Sequence, residues 1–198
     1  MESMTLTLKE VKENLTTVDF SKLPKPKKTN KGKRGQLLEL ALGIANTSKL
    51  TDCVAGELKS FTQGESIAVT QLKHILPQIF ANIPIYRTKL GIKTQQTLFV
   101  GFDRDNNFIG STTLTPESDP KHFEQLEQDF HDICDAILDA YYDKKELHTV
   151  TGRNGLLQIR TKDSKYKGKY HPIIWKGQQL SDKGFAFYLT GKFGRELL

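Results

Sequence analysis

Cysteine is scarce: the 198 residues contain only Cys53 and Cys134. Two thiols that form no Cys-x-x-Cys pair exclude a disulfide framework and a dithiol redox centre, and both read as reduced and buried. Long apolar runs are missing too. None approaches the roughly 18 residues of a membrane span, and the opening Met1-Glu-Ser-Met-Thr5 lacks the cationic-then-apolar pattern of a secretory signal. The expected location is therefore cytoplasmic. The chain shows neither a Walker loop nor a dinucleotide fingerprint, and His74, His122, His148 and His171 are scattered with no Ser-His-Asp or Cys-His arrangement among them. His131 and Cys134, one helical turn apart, offer two ligands at most, which does not make a zinc site.

What is present is an ordinary globular composition, 37% hydrophobic and 26% charged, at a length that suits one domain of two close lobes. The net charge is +6, and its distribution says more than its sum. Nine acids and the single cation Lys121 lie between Glu117 and Asp143, leaving 28 basic and 14 acidic residues elsewhere. A basic remainder opposed to one acidic face suits a protein that lies on a polyanion. Lys22 to Arg34 carries seven cations among prolines and glycine, and reads equally as a solvated linker or a phosphate-contacting arm.

Periodicity supplies the elements. Leu37, Leu38, Ala41 and Leu42 share a helical face, with Glu39 off it and Gly35 and Gly43 four residues to either side. Those glycines leave room for a ligand, metal or second chain beside the carboxylate. A turn or short strand from Leu50 leads into a strand through Phe61, in which Glu57 and Lys59 point to one side while Gly56 and Leu58 face away. Ser66–Leu72, Thr97–Phe102 and Phe108–Leu114 read as further strands. Asp119 and Pro120 open the clearest helix, with Phe123, Leu126, Phe130, Ile133, Ile137 and Tyr141 at helical spacing. Its acids are expected mainly on the outer face, with no chemistry assigned to them. Leu156–Arg160, Ile173–Trp175 and Phe185–Leu189 follow as basic, strand-rich sequence.

Asp52-x4-Glu57-x-Lys59 is the residue set that a metal-assisted phosphodiesterase needs. Mg²⁺ takes hard oxygen ligands, which Asp52, Glu57 and the backbone carbonyl of Leu58 can supply. Such a metal polarises the phosphate and lowers the pKa of a bound water, and Lys59 can stabilise developing charge. Spacing alone is weak, since an acid followed by Glu-x-Lys arises by chance. Arg160 and Lys162, two apart at a strand end, would project together toward guanine edges or phosphates. Lys165, Lys167 and Lys169 interleave with Tyr166 and Tyr170 in a candidate nucleic-acid loop.

Four blocks in order are more specific than any one. Lys31-Gly-Lys-Arg-Gly-Gln-Leu-Leu-Glu39, Leu50-Thr-Asp52 with Gly56-Glu-Leu-Lys59, Gly155-Leu-Leu-Gln-Ile-Arg-Thr-Lys162 and Phe187-Tyr-Leu-Thr-Gly-Lys-Phe193 resemble the MutH and Sau-type endonuclease family. The resemblance covers Lys31 to Leu198 and is loose between Phe61 and His148. It implies an α/β PD-(D/E)xK restriction-endonuclease-like fold, a central mixed sheet flanked by helices, with two lobes forming a DNA cleft. A single domain over 1–198 is expected, with a catalytic lobe over 1–115 and a recognition lobe over 116–198. Asp52 and Glu57 match the metal-binding acids, Lys59 the catalytic lysine and Glu39 the helix glutamate that supports the metal site. Lys89, in Tyr86-Arg-Thr-Lys-Leu90, is the counterpart of a further active-site lysine. Arg160 and Lys162 match the base-reading strand end, and Tyr188 a tyrosine near the methylation-sensing region. The gap from Asp52 to Glu57 is two residues shorter than in MutH, which a tighter hairpin through Ala55-Gly56 would absorb.

The expectation is a Mg²⁺-dependent, sequence-specific endonuclease on double-stranded DNA with a short GATC-like site. Type II restriction is favoured because the chain is compact, ends just after Phe193 and shows no further surface assignable to a repair partner. A mismatch-repair nicking enzyme, which would need a partner protein, is the alternative. An inactive DNA-binding module is the other, disfavoured by the intact Asp52, Glu57 and Lys59. The resemblance also leaves room for a homodimer on DNA.

Overall fold

A computed structural model describes residues 6–25, 32–44, 52–53, 56–162, 165–166 and 168–198, with backbone alone at Lys165 and Tyr166. The fold is mixed α/β. Helix α1 (Leu8–Asn14) begins at a capping box, in which the Thr7 hydroxyl accepts from Glu10 N while the Glu10 carboxylate accepts from Thr7 N. Helix α2 (Lys33–Ala41) follows, then β1 (Glu57–Thr62), β2 (Ile67–Gln71), the short α3 (Leu76–Phe80) and α4 (Lys89–Thr94). Strands β3 (Thr97–Phe102) and β4 (Phe108–Leu114) lead to α5 (Pro120–Tyr142). The C-terminal part holds β5 (Val150–Thr151), β6 (Leu157–Thr161), β7 (Lys165–Tyr166), β8 (Lys169–Tyr170), β9 (Ile173–Trp175), β10 (Gln178–Ser181), β11 (Phe185–Leu189) and α6 (Gly191–Leu197).

The first sheet is mixed and three-stranded, in the order β1-β3-β4. Strand β3 lies at its centre, parallel to β1 and antiparallel to β4, and all six of its residues are buried. Such a strand needs an apolar side chain on both faces, which Leu98-Phe-Val100 supplies. Leu58, Leu98, Val100 and Phe102 pack on Val11, Leu38 and Leu42 from α1 and α2. Phe61 and Phe99 join the larger core, with the apolar faces of α5 and the second sheet.

That second sheet is antiparallel, in the order β2-β11-β6-β5. Strand pairing does not follow a division of the chain at residue 115. Strand β2, from the first half, pairs with β11 from the second, and Phe193 of α6 meets Phe99 edge to face at 5.6 Å. A hydrophobic strand next to β1 in sequence pairs where an edge is open, and the exposed edge of β11 provides it. The mixed sheet has three strands, and the strands expected to carry recognition share a second sheet with β2.

One buried charge fixes the second sheet to α5. Asp129 is fully buried, and its carboxylate accepts from the backbone N–H groups of Asn154, Leu156 and Leu157 at 2.6, 2.7 and 2.9 Å. A Cβ on Gly152 would lie 2.3 Å from Asp129, so only glycine allows this approach. Asp129 is the exception to the expectation that the acids of α5 lie mainly on the outer face. The turn before β6 has donors that need an acceptor, and Asp129 supplies it.

Candidate active site

Glu57 opens β1 with its side chain wholly inside the protein. Its backbone N–H is held by Gln96 O at 3.2 Å, at the end of the loop into β3. Two residues further along the same strand, Lys59 projects on the same side, and its Nζ donates to Glu57 Oε1 at 2.5 Å. Lys93 of α4 donates to the same oxygen at 3.0 Å. Both ammonium groups are about one-fifth exposed, 20% and 21%. Glu57 Oε2 is buried with no hydrogen-bond partner among the described residues. A buried carboxylate oxygen without a donor is costly, and it marks a place where a cation or a water belongs.

Asp52 reaches the same strand from outside it. Its Oδ2 accepts from Leu58 N at 2.9 Å, which fixes the carboxylate beside the backbone between Glu57 and Lys59. The intervening chain closes tightly: Cys53 and Gly56 form an antiparallel bridge, with Cys53 N donating to Gly56 O at 2.9 Å. Val54 and Ala55 lie outside the described residues. A Cβ on Gly56 would crowd the Leu8 side chain of α1 at 2.4 Å and the Gln96 carbonyl at 3.1 Å, so Leu8 would have to shift. Leu58 itself turns its side chain into the core formed with α1 and α2, leaving its backbone as the part available to a ligand.

Glu39 stands on α2 within electrostatic reach of these groups. Burial holds its carboxyl above the ordinary 4.5, the Asp52 and Glu57 charges push the same way, and Lys59 and Lys93 oppose them. Burial likewise raises the Asp52 carboxyl above 3.8, with Glu57 adding to it and the Leu58 N–H and the two lysines opposing. Three carboxylates crowd into one region with two ammonium groups among them. Among the described residues, no group of three or more His, Cys, Asp or Glu side chains is placed so that it could hold a metal ion by itself. The donor set is hard oxygen, however, and the Glu57 charge raises the pKa of both Asp52 and Glu39, a cost that a divalent cation would relieve. The residues fit such an ion.

The glycines beside Glu39 have a different role from the expected one. Gly43 ends α2 at φ +79, with Gly43 N donating to Leu40 O and Ile44 N to Glu39 O, a Schellman cap. A Cβ on Gly35 would lie 3.4 Å from Ser60 Oγ of β1, an ordinary contact, so Gly35 faces the strand and not an open ligand space.

Of the two lysines on α4, the structure places Lys93 and not Lys89 beside Glu57. Lys89 is exposed at the first position of α4, whose Thr88 hydroxyl caps the helix by accepting from Gly91 N at 3.1 Å. The lysine beside Glu57 is Lys93, one helical turn further on. Lys89 and Lys93 are four apart and so share a face of α4, which is why helical periodicity alone does not separate them.

In the second sheet, Leu157, Ile159, Phe187 and Leu189 face the core while Gln158, Arg160 and Tyr188 lie on the other side. Arg160 stacks over the Tyr188 ring, 4.2 Å from its centroid, diagonally across the β6–β11 pairing. Lys162 leaves the end of β6, its backbone N–H donating to Gly184 O at 2.7 Å. Lys165 pairs with Tyr170 and Tyr166 with Lys169 in the β7–β8 hairpin, where Lys169 is exposed; Lys167 lies outside the described residues. His74 lies within electrostatic reach of Lys162, and burial with the charges of Lys73, Lys89 and Lys162 holds its imidazole below 6.5.

The Lys22 to Arg34 cation run is not uniform. Lys22 is exposed, while Arg34 is 4% exposed, and residues 26–31 lie outside the described set.

No protein-family profile matches the chain. It is similar to the proteins named DNA mismatch repair protein MutH in two strains of Shewanella baltica, 27% identical over 188 residues in each. That alignment spans 89% of this chain and 82% of each relative. The similarity supports a MutH-like nuclease affiliation across nearly the whole chain. No helix among the described residues is long and apolar enough to cross a membrane.

Proposed function

We propose that the chain is a Mg²⁺-dependent DNA endonuclease of PD-(D/E)xK type that nicks a short GATC-like site in mismatch repair. The observation that carries the reading is Glu57, a buried carboxylate with one oxygen shared by Lys59 and Lys93, the other unpartnered, and Asp52 and Glu39 in electrostatic contact. A structural ion pair would satisfy both oxygens.

Asp52, Glu57 and the Leu58 carbonyl would hold Mg²⁺, and the ion would neutralise phosphate charge and acidify a water. Lys59 and Lys93 both donate to Glu57 Oε1, and each can turn an N–H toward a phosphate oxygen as negative charge develops there. Glu39 sets the total negative charge at the cluster. Arg160 is stiffened by its Tyr188 platform, so its donors are pre-oriented for a guanine edge. Lys162, Lys165, Lys167 and Lys169 add phosphate contacts.

Both relatives carry mismatch-repair names, which favours nicking over the type II restriction expected from compactness. The test is supercoiled plasmid carrying GATC sites in unmethylated, hemimethylated and fully methylated form, incubated with Mg²⁺ and a mismatch-repair partner protein. Open circles without linear product support the reading. Linear product at early times supports restriction, and no cleavage in any metal would leave only a DNA-binding module.

A further inference from the structure

We infer that the far end of β1 from Glu57 carries a second site, built around Arg34, that binds a phosphate-class oxyanion. Arg34 stands in the first turn of α2, yet its side chain is 4% exposed. Its guanidinium lies 4.3 Å from the centroid of the Phe102 ring. It donates to Asn106 Oδ1 at 3.0 Å and Thr62 Oγ1 at 3.2 Å. Both acceptors are neutral, and Nε is buried with no partner. Burial pulls this guanidinium below its ordinary pKa, and the more distant Glu65 charge only partly opposes the shift. A buried charge is ordinarily paired, so a guanidinium held by two neutral oxygens and a ring lacks an anion.

The surroundings are suited to one. Arg34 lines a cavity of about 410 Å³ together with the exposed side chains of Lys25 and Arg104. Arg195 of α6 lines the adjoining space with Arg104. Glu65 and Asp103 also face this cavity, but both Asp103 oxygens are occupied, one by Asn107 N and one by Asn107 Nδ2, each at 2.8 Å. Helix α2 adds to the case, because its first turn holds two cations, no acid and no side-chain cap, where the helix dipole disfavours positive charge and favours an anion. The site stands apart from the Glu57 cluster: Glu57 and Thr62 open and close β1, a separation of about 16 Å at the rise of a strand. Arginine's fork and the neighbouring point charges suit a tetrahedral oxyanion better than a planar carboxylate pair.

The phosphate comes either from free solution or from the backbone of a bound duplex, and the two are separable without any assay of cleavage. Thermal unfolding of the full chain is followed in sodium phosphate against sodium chloride at equal ionic strength. Duplex binding is followed by anisotropy in Ca²⁺ at several salt concentrations. Lys25→Ala/Arg104→Ala removes exposed cations and leaves the core intact, and Arg34→Lys keeps the charge but loses the fork. A free-anion site predicts that phosphate at tenfold its Kd raises the wild-type Tm by about 3 °C, that both variants lose this rise, and that duplex affinity is unchanged. A backbone-phosphate site predicts competition between phosphate and duplex, with the double variant reducing the salt slope of duplex binding by about one to two. If phosphate gives no rise beyond chloride and both variants bind duplex as wild type does, Arg34 is a structural group and the inference is wrong.

Discussion

Lys93 separates the geometry of this protein from the resemblance that first suggested its chemistry, and replacing it tests the difference. In Lys93→Ala, Glu57 loses one of two ammonium partners on the same oxygen and keeps Lys59 at 2.5 Å. A hydrogen bond to a charged group contributes about 1.5–3 kcal/mol. Lys93 is about one-fifth exposed, and solvent screening places the cost near the lower bound, about 1–2 kcal/mol. For a chain of this size that is a fall in Tm of about 3–6 °C. The effect on rate is larger if Lys93 donates to the phosphate as charge develops, on the order of a hundredfold in kcat, the loss seen when one such donor is removed. Lys89→Ala, at an exposed helix start, is expected to change Tm by less than about 1 °C and kcat by less than about threefold. The assay is plasmid nicking under single-turnover conditions with a parallel thermal melt. The reasoning fails if Lys89→Ala abolishes cleavage while Lys93→Ala cuts at the wild-type rate, because the resemblance would then locate the lysine better than the packing of α4 does.

Three further outcomes follow from other buried charges. The Asp52 carboxyl sits above its ordinary 3.8, so its contribution to stability is present below that pH and lost as pH rises through the folded value. Asp52→Asn is therefore expected to raise Tm at pH 7, to show no gain near pH 3, and to abolish cleavage, and a lower Tm at pH 7 would contradict this. Asp129→Ala leaves three backbone donors without their carboxylate, a loss of about 3–5 kcal/mol. Urea denaturation would show it, and a cost below about 1 kcal/mol would mean the turn repacks. His122 bridges Asp119 and Glu196 at 2.5 and 2.9 Å; burial lowers its pKa, but the two carboxylates outweigh this and raise it above 6.5. The α5–α6 clamp thus contributes fully below about pH 6.5 and weakens as pH rises through the folded value. His122→Ala should flatten the Tm profile over that range, and an unchanged profile would remove His122 from the account.

The elements that periodicity marks most strongly are the ones found, for physical reasons visible in particular residues. Thr97–Phe102 and Phe108–Leu114 coincide with β3 and β4 because each is bounded by turn-forming residues. Helix α5 begins at Asp119 and Pro120 because a capping acceptor and a fixed φ both act locally. Within the candidate site, Glu57 and Lys59 sharing a side was legible, since a strand's period of two requires it. The pairing of β2 with β11 was not, because it depends on which sheet edge is open once the chain has folded. Lys93 was not singled out because it shares a face of α4 with Lys89, one turn away, and only the packing of that helix against β1 shows which of the two meets Glu57.

Buried charge is the most instructive failure, because its sign was in the sequence. Asp129 lies within the stripe Leu126, Phe130, Ile133 and Ile137, at the spacing of one helical face. An acid inside such a stripe must either break the face or be buried with partners, and here three N–H groups from the turn before β6 meet it. Arg34 stands four residues before the buried Leu38, so it too belongs to a core-facing stripe and not to the loop of cations that precedes it. The two differ in what satisfies them. Asp129 is met by donors on the same chain, whereas Arg34 finds only neutral oxygens and an aromatic face. A charge on an apolar face whose partners are complete reads as architecture. One whose partners are incomplete points outside the chain, and Glu57 Oε2 and Arg34 Nε, at opposite ends of β1, are the two buried side-chain atoms left without partners among the described residues.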